Sequence, residues 1–259
     1  MAHPTGMHRV LACVDASDYA NSVCDYAAWF ASDPDIGVEV LHVAETVDVA
    51  RAGSRSTALT DPVLHRAVQR LREEGVGPIS SMRSTGDLVD LAARHEAGLI
   101  VMGKRGENSA AERLRLGSNV ETMIRGTAKP VCLTSKIFLP IHRAVVLLDA
   151  DLDHRAAVAM IVSDFRLAPL ALDVVVMASS LETAKAKVEW ARAQLSGLKA
   201  NVLPMISDGL DEAVALYMEA RAADLVIISR AVVAPDPQDR LARIDQRGLW
   251  GARTPVLIC

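Results

Sequence analysis

Short continuous apolar runs alternate along the chain with longer stretches in which apolar residues recur every three or four positions. The runs, of which residues 99–102 are the clearest, predict strands that are covered on both faces. The longer stretches predict amphipathic helices, and the pair Asp61-Pro62 predicts the start of one of them. Strand and helix alternate throughout, which predicts the α/β class with a doubly wound parallel sheet.

The order of these elements repeats in the second half of the chain. Residues 143–149 match residues 9–15 as a buried strand that ends in an aspartate, and later landmarks follow in the same order. We therefore expect two tandem domains, residues 7–137 and residues 141–259, each with a five-stranded doubly wound parallel sheet and flanking helices.

A glycine-rich turn follows the predicted strand at residues 99–102. Gly103 and Gly106 lie in this turn, and Gly117 precedes a helix that is predicted to start at Ser118. Glycine lets backbone amides approach a ligand closely, and a helix N-terminus offers free N–H groups to an anion. The turn thus predicts an anion site at the carboxyl end of a parallel strand. Two ordinary turn glycines followed by a capped helix are the alternative.

The amino-acid composition and the absence of certain motifs argue against several classes of function. The 259 residues carry a net charge of −4 and only 3% aromatic residues, which argues against a nucleic-acid binder. Neither of the two common glycine motifs for phosphates, G-x-x-x-x-G-K-[ST] and G-x-G-x-x-G, occurs at the required place. The four cysteines form no C-x-x-C, and no apolar stretch is long enough for a membrane span. We expect a cytoplasmic protein without membrane insertion.

The spacing of the glycines resembles the signature of the universal stress protein family. That signature has nine residues between its second and third glycines, whereas ten separate Gly106 from Gly117, so the loop must bulge or extend. The resemblance covers nearly the whole chain and implies a Rossmann-like, HUP-type fold for each domain. Residues 7–137 carry the signature, whereas residues 141–259 match in strand order and end motifs only and are expected to be a degenerate domain.

The resemblance implies that the first domain binds an adenine nucleotide. It implies these contacts: Cys13, Val14 and Asp15 at the adenine and ribose end, Val43 against the base, Met102 and Gly103 beneath the ribose and α-phosphate, and Gly106, Gly117, Ser118 and Asn119 at the phosphates. Backbone amides and a serine hydroxyl at a helix start are suitable phosphate donors.

Several residues near this set have a structural alternative. Asp15 can accept from ribose hydroxyls or bind a metal on the phosphates, or it can cap the next helix, as Ser17 can. Lys104 and Arg105 add positive charge to the turn, or they are simply solvated. His42, between two apolar strand residues, favours core or edge packing over catalysis.

The sequence supplies no evident general base beside the glycine turn, so we expect binding without efficient turnover and not an enzyme. The predicted function is a stress-response protein that binds ATP, with or without Mg²⁺, as a regulatory ligand that alters a surface for a protein partner. A nucleotide-independent stress scaffold and a slow ATPase are the alternatives. The resemblance also implies that the two domains pair through their last strands, at residues 131–134 and 256–259, and it is compatible with a homodimer.

Overall fold

Strand and helix alternate through residues 9–134 and again through residues 143–206, as the hydrophobic pattern predicts. The computed structural model describes residues 8–44, 61–105, 118–206, 223–230 and 253–259, which fall into two units that divide between Phe138 and Leu139. The predicted α/β class with parallel sheets is confirmed. In the described ranges no helix combines the length and apolar character that a membrane span requires.

The first unit contains nine described elements. They are β1 (Arg9–Val14), α1 (Ala20–Phe30), β2 (Gly37–Val43), α2 (Pro62–Glu73), β3 (Ile79–Ser84), α3 (Leu88–Arg94), β4 (Leu99–Gly103), α4 (Ser118–Gly126) and β5 (Val131–Thr134). The strands pair in parallel in the order β3-β2-β1-β4-β5. Successive strands therefore add on one side of β1 and then on the other, which creates a topological switch point between β1 and β4.

The second unit repeats this arrangement with seven described elements. They are β6 (Arg143–Asp149), α5 (Arg155–Ser163), β7 (Ala171–Ala178), α6 (Leu181–Gln194), β8 (Ala200–Ile206), β9 (Leu225–Ile228) and β10 (Val256–Ile258). Their order is β8-β7-β6-β9-β10, again with every pair parallel. Pro204 lies in the edge strand β8, where a residue without an N–H donor is tolerated.

The core of the first unit is centred on β1 and β4. Residues 10–14 and 99–102 are each less than a tenth exposed, so both faces of these strands are covered. Helix α1 contacts α2 as well as β1 and β4, and α3 contacts α4. A doubly wound sheet places these two helix pairs on opposite faces.

An ion pair occupies the same place in both units. Arg9 Nη1 lies 3.2 Å from Glu39 Oε2, and Arg143 Nη1 lies 3.3 Å from Asp173 Oδ2. In each unit the arginine is the first residue of the central strand, and the acid pairs with the residue two positions later. The internal repeat thus extends from strand order to individual side chains.

A buried carboxylate ties the start of α2 to the sheet. Asp61 is 4% exposed, and its Oδ1 accepts the N–H groups of Val63 and Leu64 at 2.9 and 3.2 Å, so it caps the helix whose start the pair Asp61-Pro62 predicts. Its Oδ2 lies 2.8 Å from Nδ1 of His42, in β2, and 3.0 Å from Nε of Arg83, in β3. Burial would raise the pKa of Asp61, but hydrogen bonds from His42, Leu64 and Val63 and the charge of His42 hold that pKa below its ordinary value.

We predict that Asp61→Ala lowers the free energy of unfolding by about 3 kcal/mol, because it removes a helix cap and the carboxylate contact of the partly buried Arg83 guanidinium. The matched control is Asp87→Ala, since Asp87 caps α3 through Val89 N and Asp90 N in a more exposed setting. The control substitution should lower the free energy of unfolding by about 1 kcal/mol. Urea unfolding followed by circular dichroism measures the stability of both variants. Equal losses of stability would show that the contacts of Asp61 with His42 and Arg83 add nothing to its role as a cap.

Candidate functional site

The strand register brings the first part of the predicted site together. Cys13 in β1 pairs with Met102 in β4, and Val14 pairs with His42 in β2. Asp15 directly follows β1, and β2 and β4 end at Val43 and Gly103. These residues therefore lie at one edge of the sheet, at the switch point where open α/β sheets form a crevice.

Exposure divides these residues into two groups. Cys13, Val14 and Met102 are only 8%, 5% and 5% exposed, so a ligand at this edge would meet their main chain and not their side chains. Burial also raises the pKa of the Cys13 thiol to about 12, which keeps it protonated and excludes a thiolate nucleophile. Asp15 and Val43 are partly exposed, so their side chains are accessible at the carboxyl ends of β1 and β2.

Asp15 closes the turn between β1 and α1. Its Oδ1 accepts the N–H of Ser17 at 3.0 Å, and Ser17 Oγ accepts the N–H of Tyr19 at 3.3 Å. The prediction that Ser17 caps α1 is wrong, because the helix starts at Ala20 after Tyr19, which makes no side-chain cap. Asp15 lies four residues before the N-cap residue and bonds inside the turn, so it is not the helix cap either.

Gly103 is a glycine because Tyr19 packs against it. A Cβ atom at position 103 would lie 2.7 Å from Tyr19 Cβ and 3.0 Å from Tyr19 Cγ, closer than carbon atoms pack. Gly103 has no positive φ, so its role here is to allow a close approach and not an unusual backbone conformation. The same contact fixes where α1 begins, since Tyr19 is its N-cap residue.

The two basic residues after Gly103 have opposite environments. Lys104 is 1% exposed, so the expectation that it is simply solvated is wrong. Burial, together with the charge of Arg105, lowers the pKa of Lys104 to about 7. Arg105 is only partly buried, and its Nη1 donates to the Tyr19 hydroxyl at 3.4 Å.

The predicted phosphate end is described only in part. Helix α4 starts at Ser118 as the sequence predicts, and Asn119 is exposed in its first turn. Gly106 and Gly117 lie outside the described residues, as does the side chain of Ser118, so their contacts stay predictions.

The corresponding edge of the second unit is built differently. Ser229, which takes the place of Gly103, is 4% exposed and its hydroxyl donates to Asp153 O at 3.4 Å. The imidazole of His154 is buried against the end of β6, with Nε2 2.9 Å from Asp149 N and 2.8 Å from Asp149 O. Ser229 thus brings a hydroxyl to the position that Gly103 occupies in the first unit, and His154 brings an imidazole to the main chain of Asp149.

A separate cavity of about 600 Å³ lies beside the β1–α1 turn. Its walls come from that turn, from Val63 and Arg66 in α2, and from Lys136 and Ile137 after β5. Among its lining residues, Asp15 alone belongs to the predicted site. The cavity therefore adjoins the switch-point crevice but does not coincide with it.

We predict that Gly103→Ala lowers the free energy of unfolding by about 1–3 kcal/mol, because the new methyl group overlaps Tyr19. Gly197→Ala is the matched control, since a Cβ at position 197 meets nothing within 4 Å, and it should change stability by less than about 0.5 kcal/mol. Denaturant unfolding of the two variants tests this. A Gly103→Ala protein as stable as the wild type would mean that Tyr19 is free to move away.

The buried Lys104 predicts a specific pH dependence. Its folded pKa is near 7 and its unfolded pKa near 10.4, so between these values the unfolded state binds more protons and stability rises with pH. The stability of the wild type relative to Lys104→Met should therefore increase by about 1 kcal/mol per pH unit between pH 8 and pH 9. Lys185→Met, at an exposed lysine, should show no such slope. If the free energies of unfolding of wild type and Lys104→Met changed in parallel with pH, the amine would not be buried.

Comparisons with known proteins agree with this architecture. The model of the universal stress protein family matches residues 6–135, just over half of the chain. Universal stress protein Slr1230 from Synechocystis sp. (strain ATCC 27184 / PCC 6803 / Kazusa) is 25% identical over 256 residues, which cover 86% of this chain and 89% of that protein. A universal stress protein from Archaeoglobus fulgidus DSM 4304 aligns with a TM-score of 0.64 at 16% identity, over 97% of this chain and 95% of its own. The functionally unknown protein PA1789 from Pseudomonas aeruginosa PAO1 aligns with a TM-score of 0.66 at 16% identity, over 99% of this chain and 94% of its own. These alignments confirm the predicted fold, and the family match is decisive for membership: the chain belongs to the universal stress protein family.

Proposed function

We propose that the first domain, residues 7–137, binds an adenine nucleotide, ATP with or without Mg²⁺, as a regulatory ligand. The observation that carries this proposal is the parallel pairing of β1 with β4, because Asp15 directly follows the one strand and Gly103 ends the other. Nucleotides bind at such switch points because helix starts and free main-chain groups face the crevice there.

The chemistry of the described residues fits a nucleoside. The Asp15 carboxylate is a suitable acceptor for ribose hydroxyls, and Val43 offers an apolar surface to a base. Main-chain groups of Cys13, Val14 and Met102 lie beside these side chains. The phosphate contacts proposed at Gly106, Gly117, Ser118 and Asn119 rest on the family's glycine signature.

We propose that the second domain, residues 141–259, is degenerate and binds no nucleotide. The buried Ser229 stands where a ligand would need the close approach that a glycine permits. His154 packs on the main chain of Asp149, the counterpart of Asp15. A stoichiometry of one nucleotide per chain follows from these differences.

We further propose that the nucleotide regulates and does not react. In the described part of the site the Cys13 thiol stays protonated, and His42 is bound to the helix cap Asp61. A ligand held without turnover can order the loops around it and thereby alter a surface for a protein partner. Cytoplasmic location, pairing of the two domains through their last strands and a homodimer remain predictions. A nucleotide-independent scaffold is the competing proposal.

The test is native mass spectrometry of freshly purified full-length protein before and after addition of ATP and Mg²⁺. We expect one nucleotide per chain. Gly117→Val should abolish it by blocking approach to the main chain, whereas Gly248→Val, a glycine of the second half outside any signature, should leave it intact.

Each other outcome identifies a different error. Two nucleotides per chain would contradict the degenerate second domain. No binding at millimolar ATP would favour the scaffold and implicate the ten-residue spacer before Gly117. Release of ADP and phosphate during incubation would favour the slow ATPase.

A further inference from the structure

The cavity beside the β1–α1 turn lies entirely within the first unit. Apolar side chains form part of its wall: Ala16 and Ala20 come from the turn and from α1, and Val63 and Ala67 lie on one side of α2. Its volume of about 600 Å³ is in the range of pockets that bind ligands. The cavity is therefore large enough to receive a side chain of another molecule.

Ile137 is an exposed apolar side chain at the rim of this cavity. It is 72% exposed, yet the main chain beneath it is anchored. Ile137 O accepts from Ser135 Oγ at 2.7 Å, and Ser135 Oγ lies 2.8 Å from the hydroxyl of the fully buried Tyr26. The ring of Phe138 packs edge-on against Tyr26, with 4.8 Å between the ring centroids. An apolar side chain that is already held in place loses little entropy on binding, which suits it to a protein contact.

The cations near the cavity differ in whether an acid neutralises them. Lys136 Nζ lies 2.5 Å from Asp18 Oδ2, and Arg70 Nε, in α2, lies 2.7 Å from Asp25 Oδ1. Arg66 lines the cavity one turn before Arg70, and its Nε donates to a main-chain oxygen of its own helix at 3.2 Å. Among the described residues no carboxylate pairs with Arg66. Its guanidinium therefore offers a positive charge that a carboxylate of a ligand can match.

We propose that this cavity, with Ile137 and Arg66 at its rim, is a docking surface for a segment of a partner protein that presents a large apolar side chain next to a carboxylate. The apolar side chain enters the cavity and the carboxylate pairs with Arg66. Ile137 and Arg66 are both exposed, so the ligand must also cover them from outside. A protein segment does this, whereas a small acid inside the cavity does not.

The docking surface adjoins the proposed nucleotide site, and its link to the nucleotide rests on the proposed function. Asp15 lines the cavity and is also the proposed acceptor for the ribose hydroxyls. A ribose that donates to the Asp15 carboxylate reduces the repulsion between this carboxylate and that of the partner. Nucleotide binding and partner docking therefore favour each other.

The experiment is an NMR titration of the isotopically labelled full-length protein with the dipeptide leucyl-glutamate, blocked at both ends. Blocked leucyl-glutamine should bind about fivefold more weakly, because the charge-assisted contact with Arg66 is lost. Blocked alanyl-glutamate should also bind about fivefold more weakly, because less apolar surface enters the cavity. Equal affinities for the glutamate and glutamine dipeptides would overturn the proposal. So would an equally tight complex with isocaproate, a free acid with a leucine-like chain, since this result would assign the cavity to small acids.

Variants locate the effect on the surface. Arg66→Gln should remove the preference for glutamate over glutamine, whereas Arg72→Gln, at an exposed arginine of the same helix that does not line the cavity, should retain it. Ile137→Ala should weaken all three dipeptides by about threefold and leave the preference unchanged. A preference that survives Arg66→Gln would overturn the role of this guanidinium, because general loss of structure would lower every affinity and could not preserve the preference.

Adenosine, which has the ribose hydroxyls but no phosphate charge, tests the link to the nucleotide. When adenosine is bound, the affinity for leucyl-glutamate should rise by about twofold, and Asp15→Asn should abolish this rise. If adenosine binds and the affinity for the dipeptide stays the same, the link is overturned and nucleotide binding stands. If the protein binds neither adenosine nor ATP, the proposed function is overturned, and the dipeptides alone decide whether the docking surface exists.

Discussion

The parallel pairing of β1 with β4 is the constraint on which the first unit depends. Both strands are buried on their two faces, so neither can shift register without exposing a run of apolar side chains or burying a polar one. The pairing joins strands that are far apart in sequence and forces the chain to switch sides of the sheet. The crevice at their carboxyl ends is a consequence of that topology, whatever residues line it.

The start of α1 follows from the same pairing. Because β4 ends beside β1, Gly103 lies beneath the residue that begins the helix, and the absence of a Cβ there lets Tyr19 pack against the main chain. Tyr19 in turn sets the geometry of the Asp15 turn through Ser17. A glycine that a sequence reader would assign to ligand approach is thus also a packing requirement between two elements 84 residues apart, from position 19 to position 103.

The sequence predicts the elements well because each depends on local pattern. The strand at residues 99–102 and the helix start at Asp61-Pro62 both appear in the structure where the pattern places them. What the sequence does not reveal depends on side chains brought together from distant positions. The burial of Lys104 and the contacts of Asp61 with His42 and Arg83 require knowledge of which strand neighbours which helix. Ser17 has good capping chemistry, but the contact between Tyr19 and Gly103 decides where the helix starts.

The ion pair that recurs at Arg9–Glu39 and Arg143–Asp173 bears on the history of the chain. Two independent domains would have no reason to place the same charges at the same register of the same two strands. The simplest origin is duplication of one ancestral gene followed by fusion of its copies. At the amino ends of the strands the copies still share this pair, whereas at the carboxyl ends the position of Gly103 is occupied by Ser229 in the second copy. Divergence after the duplication was therefore uneven: it spared the ion pair at the amino end of the central strand and altered the carboxyl end, where we propose that the nucleotide binds.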